Sequence, residues 1–489
     1  MSQHHEHREH REHQAHSSHE HHGHGHGAHV HGGHGPVVHA PSGTAAGDYQ
    51  RAYEQAEPEP GGTVVRVEVE AREVDWTFAS GRRTRVWAFN GQVPGPLIDA
   101  HVGDVLEVRL TNRLSEPTTL HWHGLRLPAA MDGTDMVQHP IPPGETFTYR
   151  FKLLDAGTFW YHTHSNEPVQ LERGLYGALV VRATEEPEFD RERVLVLSDV
   201  KLDASGQVAV SEDGERRGGR EGNVRLVNGT SEPELMMWGG QVERWRIINA
   251  ASSRYVRMSI GRRPFQVVGT GGGMLERPTV TRDVLLTPGD RIDVAVGPFA
   301  PGEVISVLSE PYDRGLGERT AEQFATVRVG PAAPSRLSVL ERPRAIERLV
   351  ARDTAPTREV AFSERVDADG GVTFLINGEQ HYRADPVTVG ELQVWDIVNA
   401  TSIDHPFHLH GFFFQVLERN GTAPVYQSWE DTVNVPAGGR VRIAWVADDR
   451  PGEWMYHCHI LEHHAAGMMA HFAVVRPGND NGASRRPAG

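Results

Sequence analysis

Three runs of alternating apolar and polar residues stand at matched places along the chain. Asn90-Gly91 precedes Gly103 and the run DVLEVRLTN, which closes on Asn112. Asn228-Gly229 precedes Gly240 and QVERWRIIN, which closes on Asn249. Asn377-Gly378 precedes Gly390 and ELQVWDIVN, which closes on Asn399. In all three the asparagine falls nine residues after the second glycine. Alternation with a period of two predicts half-buried strands. Val, Ile and Thr in short runs, separated by Gly, Pro and Asn, predict sheets joined by tight turns. A self-similar unit of roughly 140 residues built this way predicts a triplicated Greek-key sandwich. The expected domains are residues 60–184, 185–334 and 335–478. They are preceded by a His-rich tail, 1–59, and followed by a short tail, 479–489.

Beyond the asparagine the repeats differ. His121 and His123 stand nine and eleven residues beyond Asn112, and His408 and His410 stand nine and eleven beyond Asn399. The equivalent positions after Asn249 are Met258 and Ile260. Later in the unit, Gly157 leads to His162 and His164, and Gly452 leads at the same spacing to His457 and His459. Repeats one and three thus carry candidate ligands, while repeat two reads as a spacer. In each pair the i, i+2 spacing puts both rings on one face of a strand.

Between His457 and His459 lies Cys458, the only cysteine, within YHCHILEHHAAGMM. On a strand its side chain points away from its two histidine neighbours. One strand would therefore serve two sites. His405 and His463 are left over from the four pairs, and with Cys458 and an axial Met468 they compose a blue-copper site. Eight imidazoles suit three further coppers, two with three ligands each and one with two. The competing reading of Cys458 is an inert buried thiol, which gives three nearby imidazoles no purpose. Thr163 occupies the matching place in repeat one, so that repeat cannot build the cysteine site.

Composition narrows the partners. A net charge of −16 argues against nucleic acid. No apolar run approaches the ~18 residues needed to span a bilayer. The first 40 residues hold 15 of the 30 histidines and almost nothing to bury, so the tail is expected to be disordered. Such tracts bind copper, nickel or zinc, and the competing reading is a solvated tail.

With these motifs in hand, the sequence resembles the multicopper oxidase family, and within it the three-domain laccase-like bacterial enzymes. The resemblance spans nearly all of residues 60–478. It implies an all-β protein of three cupredoxin-like Greek-key domains, the second without copper ligands, and four copper ions. It implies that His121 and His408 hold the type 2 copper. His123, His162 and His459 would hold one type 3 copper, and His164, His410 and His457 the other. His405, Cys458 and His463 with axial Met468 would form type 1. The implied reaction takes single electrons from a reducing substrate at type 1, passes them along Cys458 to His457 and His459, and reduces dioxygen to water. Asp132, in MDGTD, matches an acid near the type 2 copper and is the candidate proton carrier; its plainer reading is a turn aspartate before glycine. Where relatives often have glutamate after the last type 1 histidine, this chain has His464. Trp429-Glu430-Asp431 matches a region near type 1, or else is a solvated acid pair on a strand edge. His101, His139, His381 and His471 read as surface or packing residues, and Met131, Met136, Met236 and Met237 as gap fillers.

Three functions are open on the sequence. The first is a laccase-like oxidase of phenols and aromatic amines. The second is an oxidase of cuprous or ferrous ions in copper tolerance. The third is a copper-binding protein without turnover. The absence of a methionine-rich insert between Glu341 and Asn399 favours the first, the His-rich tail leans to the second, and the complete motifs count against the third. The resemblance implies a periplasmic or extracellular protein, yet the opening residues contain no signal-like apolar segment, which leaves the cytoplasm open.

Overall fold

A computed structural model describes residues 58, 61–78, 82–337, 344–366 and 371–478. The expected His-rich and C-terminal tails lie outside the described residues, apart from position 58. The strands form three pairs of sheets, one pair per repeat. In the first repeat one sheet has the order Thr84–Phe89, Val64–Trp76, Val105–Asn112, Thr146–Lys152. Facing it is the order Gly95–His101, Tyr176–Arg182, Gly157–His162, His121–His123. The second repeat packs a six-stranded sheet on a five-stranded one, and the third a five-stranded sheet on a six-stranded one. Each pair encloses its own core of buried Val, Ile, Leu and aromatic residues. The all-β architecture of paired sheets expected from the alternation is the one observed, in keeping with the three cupredoxin-like domains that the resemblance implies. No described helix is long and apolar enough to cross a membrane.

The repeat has a physical cause. Asn90, Asn228 and Asn377 adopt positive φ of 53°, 51° and 49° at tight turns, a conformation that asparagine tolerates. Their side chains accept from the backbone N–H of Glu70, Val196 and Ala361 at 2.7–2.8 Å. The closing asparagines are buried. The Nδ2 of Asn112 donates to the carbonyls of Glu116 and Ile141, that of Asn249 to Arg254 and Leu286, and that of Asn399 to Ile403 and Val435. Each amide thereby satisfies loop carbonyls that burial would otherwise leave unpaired. The run ending in each asparagine pairs parallel with the first strand of its repeat, as Val105 does with Val64, Glu243 with Arg191 and Trp395 with Arg358.

This frame positions the histidines. His121–His123 pairs antiparallel with Gly157–His162, setting His121 opposite His162. His405–Leu409 pairs antiparallel with Gly452–Cys458, setting His408 opposite His457 and Phe407 opposite Cys458. In the second repeat the corresponding pair is Val256–Ile260 with Val304–Glu310, which sets Met258 opposite Ser309. Repeats one and three meet directly, since Phe413 and Trp429 of the third join the core of the first.

Candidate metal centre

Two clusters of donors flank the end of strand Gly452–Cys458. On one face Cys458 Sγ lies 3.4 Å from His405 Nδ1 and 3.6 Å from His463 Nδ1, and the two Nδ1 atoms are 3.1 Å apart. The far nitrogens are tied down: His405 Nε2 bonds the Thr401 hydroxyl at 2.8 Å, and His463 Nε2–H donates to the Arg217 carbonyl at 3.1 Å. That bond puts the His463 proton on Nε2 and leaves Nδ1 with a lone pair. Met468 is buried in the same core as Cys458, and its backbone carbonyl accepts from the Cys458 N–H. Burial pushes the Cys458 thiol up and holds His405 down at about 3. The sulfur therefore keeps its proton until a metal displaces it.

On the other face eight imidazoles converge, all with under a tenth of their surface exposed. Their anchoring fixes which nitrogen is free. Nδ1–H of His121 donates to Asp132 O at 2.8 Å, that of His162 to Thr163 O at 2.7 Å, and that of His457 to Cys458 O at 2.9 Å. His408 Nδ1–H donates to Asp431 O at 3.0 Å, and His410 Nδ1–H to Asp132 Oδ2 at 2.8 Å. His123 is turned the other way, with Nε2–H 3.2 Å from Asp431 Oδ1. The opposite nitrogens of His121, His123, His162 and His408 have no hydrogen-bond partner, nor does either nitrogen of His459, while His164 Nε2 lies 3.1 Å from Glu167 Oε1. His410 Nε2 and His457 Nε2 face each other at 3.0 Å. With both Nδ1 protons in place, no proton remains to sit between those lone pairs. Each unsatisfied buried acceptor costs about 1–3 kcal/mol, a cost that cations placed among these lone pairs relieve. Burial drives His123, His162, His164, His457 and His459 well below the usual imidazole value and His410 to about 3. Neutral imidazole is the ligating form. The donor chemistry therefore fits copper.

Donor atoms within 4.8 Å of one another form the sets His121/His408/His410, His121/His123/His162, His164/His410/His457 and His405/Cys458/His463. His121 links the first set to the second and His410 links the first to the third, so seven of the eight histidines make one continuous cluster. His459 closes it, with its ring centroid 5.0 Å from that of His123 and 5.7 Å from that of His162.

The surroundings hold groups that sequence reasoning missed or misplaced. Trp429, Glu430 and Asp431 are buried rather than solvated, and Asp431 faces His123 and His408 instead of the cysteine site. The second repeat is more than a spacer. Its Arg291 donates through Nη1 to Asp431 Oδ1 at 2.6 Å and through Nη2 to Oδ2, and its Nε donates to Thr158 O of the first repeat. A Cβ on Gly289 would come within 2.8 Å of the His459 ring and 3.0 Å of the His123 ring. Burial alone would raise the Asp431 carboxyl; Arg291, helped by His123 and His408, instead holds it well below the carboxylate range. No ligand motif marks Gly289 or Arg291, because their roles depend on how separate repeats dock.

Asp132 is buried against the cluster, with Oδ2 bonded to His410 while Oδ1 has no hydrogen bond. Burial opposes its charge, and the His410 and His121 rings overcome that to hold the carboxyl well below its usual range. His464 stacks on His457 with ring centroids 4.3 Å apart, and its Nδ1 lies 2.6 Å from Glu167 Oε2. A carboxylate does reach this place, from repeat one rather than from position 464. Of the residues read as packing or surface, Met131 and Met237 are buried, whereas Met236 is 54% exposed and fills no gap; His101, His139 and His381 are exposed and His471 is half-buried.

Models of multicopper oxidase domains match residues 70–186, 191–303 and 353–478. The multicopper oxidase MmcO of Mycobacterium tuberculosis is 32% identical over 425 residues, 78% of this chain and 81% of that one. Laccase-2 of Cryptococcus neoformans var. grubii is 28% identical over 81% of this chain and 82% of its own. A solved multicopper oxidase from Campylobacter jejuni, described as a metallo-oxidase, superposes with a TM-score of 0.76 at 27% identity, covering 90% of this chain and 94% of that one. This chain belongs to the multicopper oxidase family, copper-dependent oxidoreductases with type 1, type 2 and type 3 centres.

Proposed function

We propose that this protein couples one-electron oxidation of phenolic or aromatic amine donors to the four-electron reduction of dioxygen to water. The observation that carries this reading is the covalent join between the two clusters: Cys458 sits in one, and its chain neighbours His457 and His459 sit in the other. His405, Cys458 and His463 with Met468 are the proposed type 1 ligands, and His121 and His408 the type 2 pair. His123, His162 and His459, and His164, His410 and His457, are the two type 3 sets. Copper at these donors supplies the one-electron couple and the centre where dioxygen is reduced.

The protein's own groups do the rest. Asp132 Oδ2 fixes His410, while its unbonded Oδ1 is the atom proposed to take and release protons beside the cluster. Cys458, His457 and His459 form the electron path through two peptide links. The His464–Glu167 pair is a second hydrogen-bonded acid–base pair against His457 and supports a second proton route.

The alternative donor is a metal ion, cuprous or ferrous. It is favoured by the covering of the type 1 edge, where His463 is buried and its Nε2 is capped by the Arg217 carbonyl. Arg217 itself pairs with Glu364 at the surface. A hydrated ion could exchange electrons through this capped imidazole without an organic pocket. Oxygen uptake with a phenol, Cu(I) and Fe(II) side by side decides: kcat/KM highest for the phenol supports the first reading, and highest for either ion replaces it with the second. The first 40 residues, with half of the histidines, are proposed to collect metal. Their deletion should slow copper loading only when copper is scarce, and an unchanged loading rate would remove that role.

A further inference from the structure

Beside Thr432, the second and third repeats line an open-mouthed cavity of about 470 Å³. Three carboxyls lie in its wall: Asp283, which is paired with Arg257, and Asp290 and Glu430. Glu430 is 7% exposed and accepts a hydrogen bond from the Ser428 hydroxyl at 2.6 Å. Asp290 accepts the Arg291 backbone N–H at 2.8 Å. Among the described residues neither has a cation in ion-pair contact, since the Arg291 guanidinium is committed to Asp431. Arg419, also in the wall, has its side chain at the exposed end. A third group needs a partner as well: the Thr287 hydroxyl, on the same wall and 1% exposed, has no hydrogen bond. Burial raises the Asp290 and Glu430 carboxyls, and for Glu430 the charge of Asp290 adds to it, against the opposing charges of Arg291 on Asp290 and of Arg419 on both. The rest of the wall mixes hydrocarbon, from Val267, Val284, Leu285, Ile292 and Val433, with polar groups such as Thr270, Thr279 and Asn434.

We propose that this cavity binds a small organic ammonium ion, its charged end between Asp290 and Glu430 and its carbon body against the valine and leucine wall. The size decides against a bare metal ion. Calcium takes six to eight oxygens, and a volume of about 470 Å³ in which Asp283 is already paired with Arg257 is far larger than one such ion needs. The volume suits a compact ligand of the sort that clefts take. Three N–H donors of a primary ammonium match two carboxylates and one hydroxyl. The site is separate from the cysteine centre but touches the histidine cluster, because Thr432 lines the cavity and its hydroxyl lies 3.1 Å from His123 Nε2 and 3.0 Å from His408 Nδ1. Occupancy is thereby sensed beside two proposed copper ligands. The inference does not depend on which donor the enzyme oxidises.

The test is calorimetric titration of the full-length, copper-loaded protein near neutral pH with benzylammonium chloride, benzyl alcohol and calcium chloride. Benzylammonium should bind with one equivalent, and the neutral alcohol at least about tenfold more weakly, since losing one member of a buried charge pair carries a penalty of that order or larger. Glu430→Gln should weaken the amine about tenfold or more, the double variant Asp290→Asn/Glu430→Gln should abolish binding, and Thr287→Val should weaken it less. These variants remove buried charge or keep side-chain volume, and an unchanged blue absorption confirms that each is folded. Amine binding that is absent, or equally tight in folded Glu430→Gln, overturns the proposal. So does calcium displacing the amine with the same dependence on Asp290 and Glu430, which would mark a metal site instead.

Discussion

The two proposed copper centres are built by opposite strategies. The cysteine centre is local: His405, Cys458, His463 and Met468 all come from one repeat and sit in or beside one hydrophobic core, where Phe374 stacks on His463 at 4.0 Å. Strand pairing alone brings Cys458 to its first histidine. The histidine cluster is assembled. Four rings come from repeat one, four from repeat three, and Arg291 of repeat two holds the carboxylate that bonds His123 and lies 3.5 Å from His408 Nδ1. Perturbations at domain boundaries should therefore spare the colour of the protein and damage its turnover.

The largest effect breaks both centres' cooperation at once. Cys458→Ser should abolish the intense visible band and reduce turnover to background, while the cluster retains its copper. Visible spectra, copper analysis and oxygen uptake on the same sample check this. A wild-type protein that is fully loaded yet colourless would sink the assignment of Cys458.

Next comes Arg291→Met, which leaves Asp431 buried without its cation. Removing one partner of a buried pair costs about 3–5 kcal/mol, and losing the support of ligating histidines weakens metal sites by about 10–100-fold. The expected outcome is loss of cluster copper and of turnover in that range, with the blue band kept. Arg291→Lys, which retains the charge but not the two-pronged hydrogen bond, should fall between the two. If Arg291→Met loses the blue band and the cluster copper in parallel, the cluster is not a separately assembled unit. Asp132→Asn should also keep the blue band while cutting turnover, because it leaves His410 oriented and removes only the charged oxygen. Full turnover in that variant would end its proton role.

Legibility in the sequence shows the same division. The three Asn-to-Asn modules could be read because each asparagine does one fixed backbone job that no other residue does as well. The HxH and HCH motifs could be read because strand geometry makes two-residue spacing chemically meaningful. Arg291, Gly289 and Glu167 could not. Each acts on a partner more than 100 positions away, and its identity matters only once separate sheets have docked. Asp431 was noticed but placed at the wrong centre, since the motif gave its neighbourhood in the chain and not the face it presents. His464 drew attention as a missing carboxylate, and the carboxylate proved to arrive from Glu167 across the domain boundary.

The repeats sharpen the comparison further, because the same asparagine can be removed with and without copper nearby. Asn399 and Asn249 make equivalent hydrogen bonds. Asn399 also bonds Thr401, whose hydroxyl holds His405. Asn249→Ala and Asn399→Ala should each destabilise the protein by about 1–3 kcal/mol per carbonyl left unsatisfied. Only Asn399→Ala should alter the visible spectrum, because His405 loses its fixed orientation. Equal spectra in the two variants would show that Thr401 is held by something other than Asn399.

The smallest effect concerns stability at the boundary of the second and third repeats, at Glu430. Its carboxyl is raised above the ordinary value by burial and by Asp290, so the folded state binds a proton more tightly than the unfolded chain does. By linkage, such a group lowers stability progressively as pH rises above the unfolded carboxyl range, near ~4.3, and contributes no penalty below it. Glu430→Gln removes the ionisation and keeps the shape. The variant should match the wild type in acid and become the more stable of the two as pH climbs through neutrality, without change in the blue band. Thermal melts in matched buffers across that range read the difference directly. A wild type that gains stability relative to Glu430→Gln as pH rises would mean that a cation already compensates the carboxylate in solution.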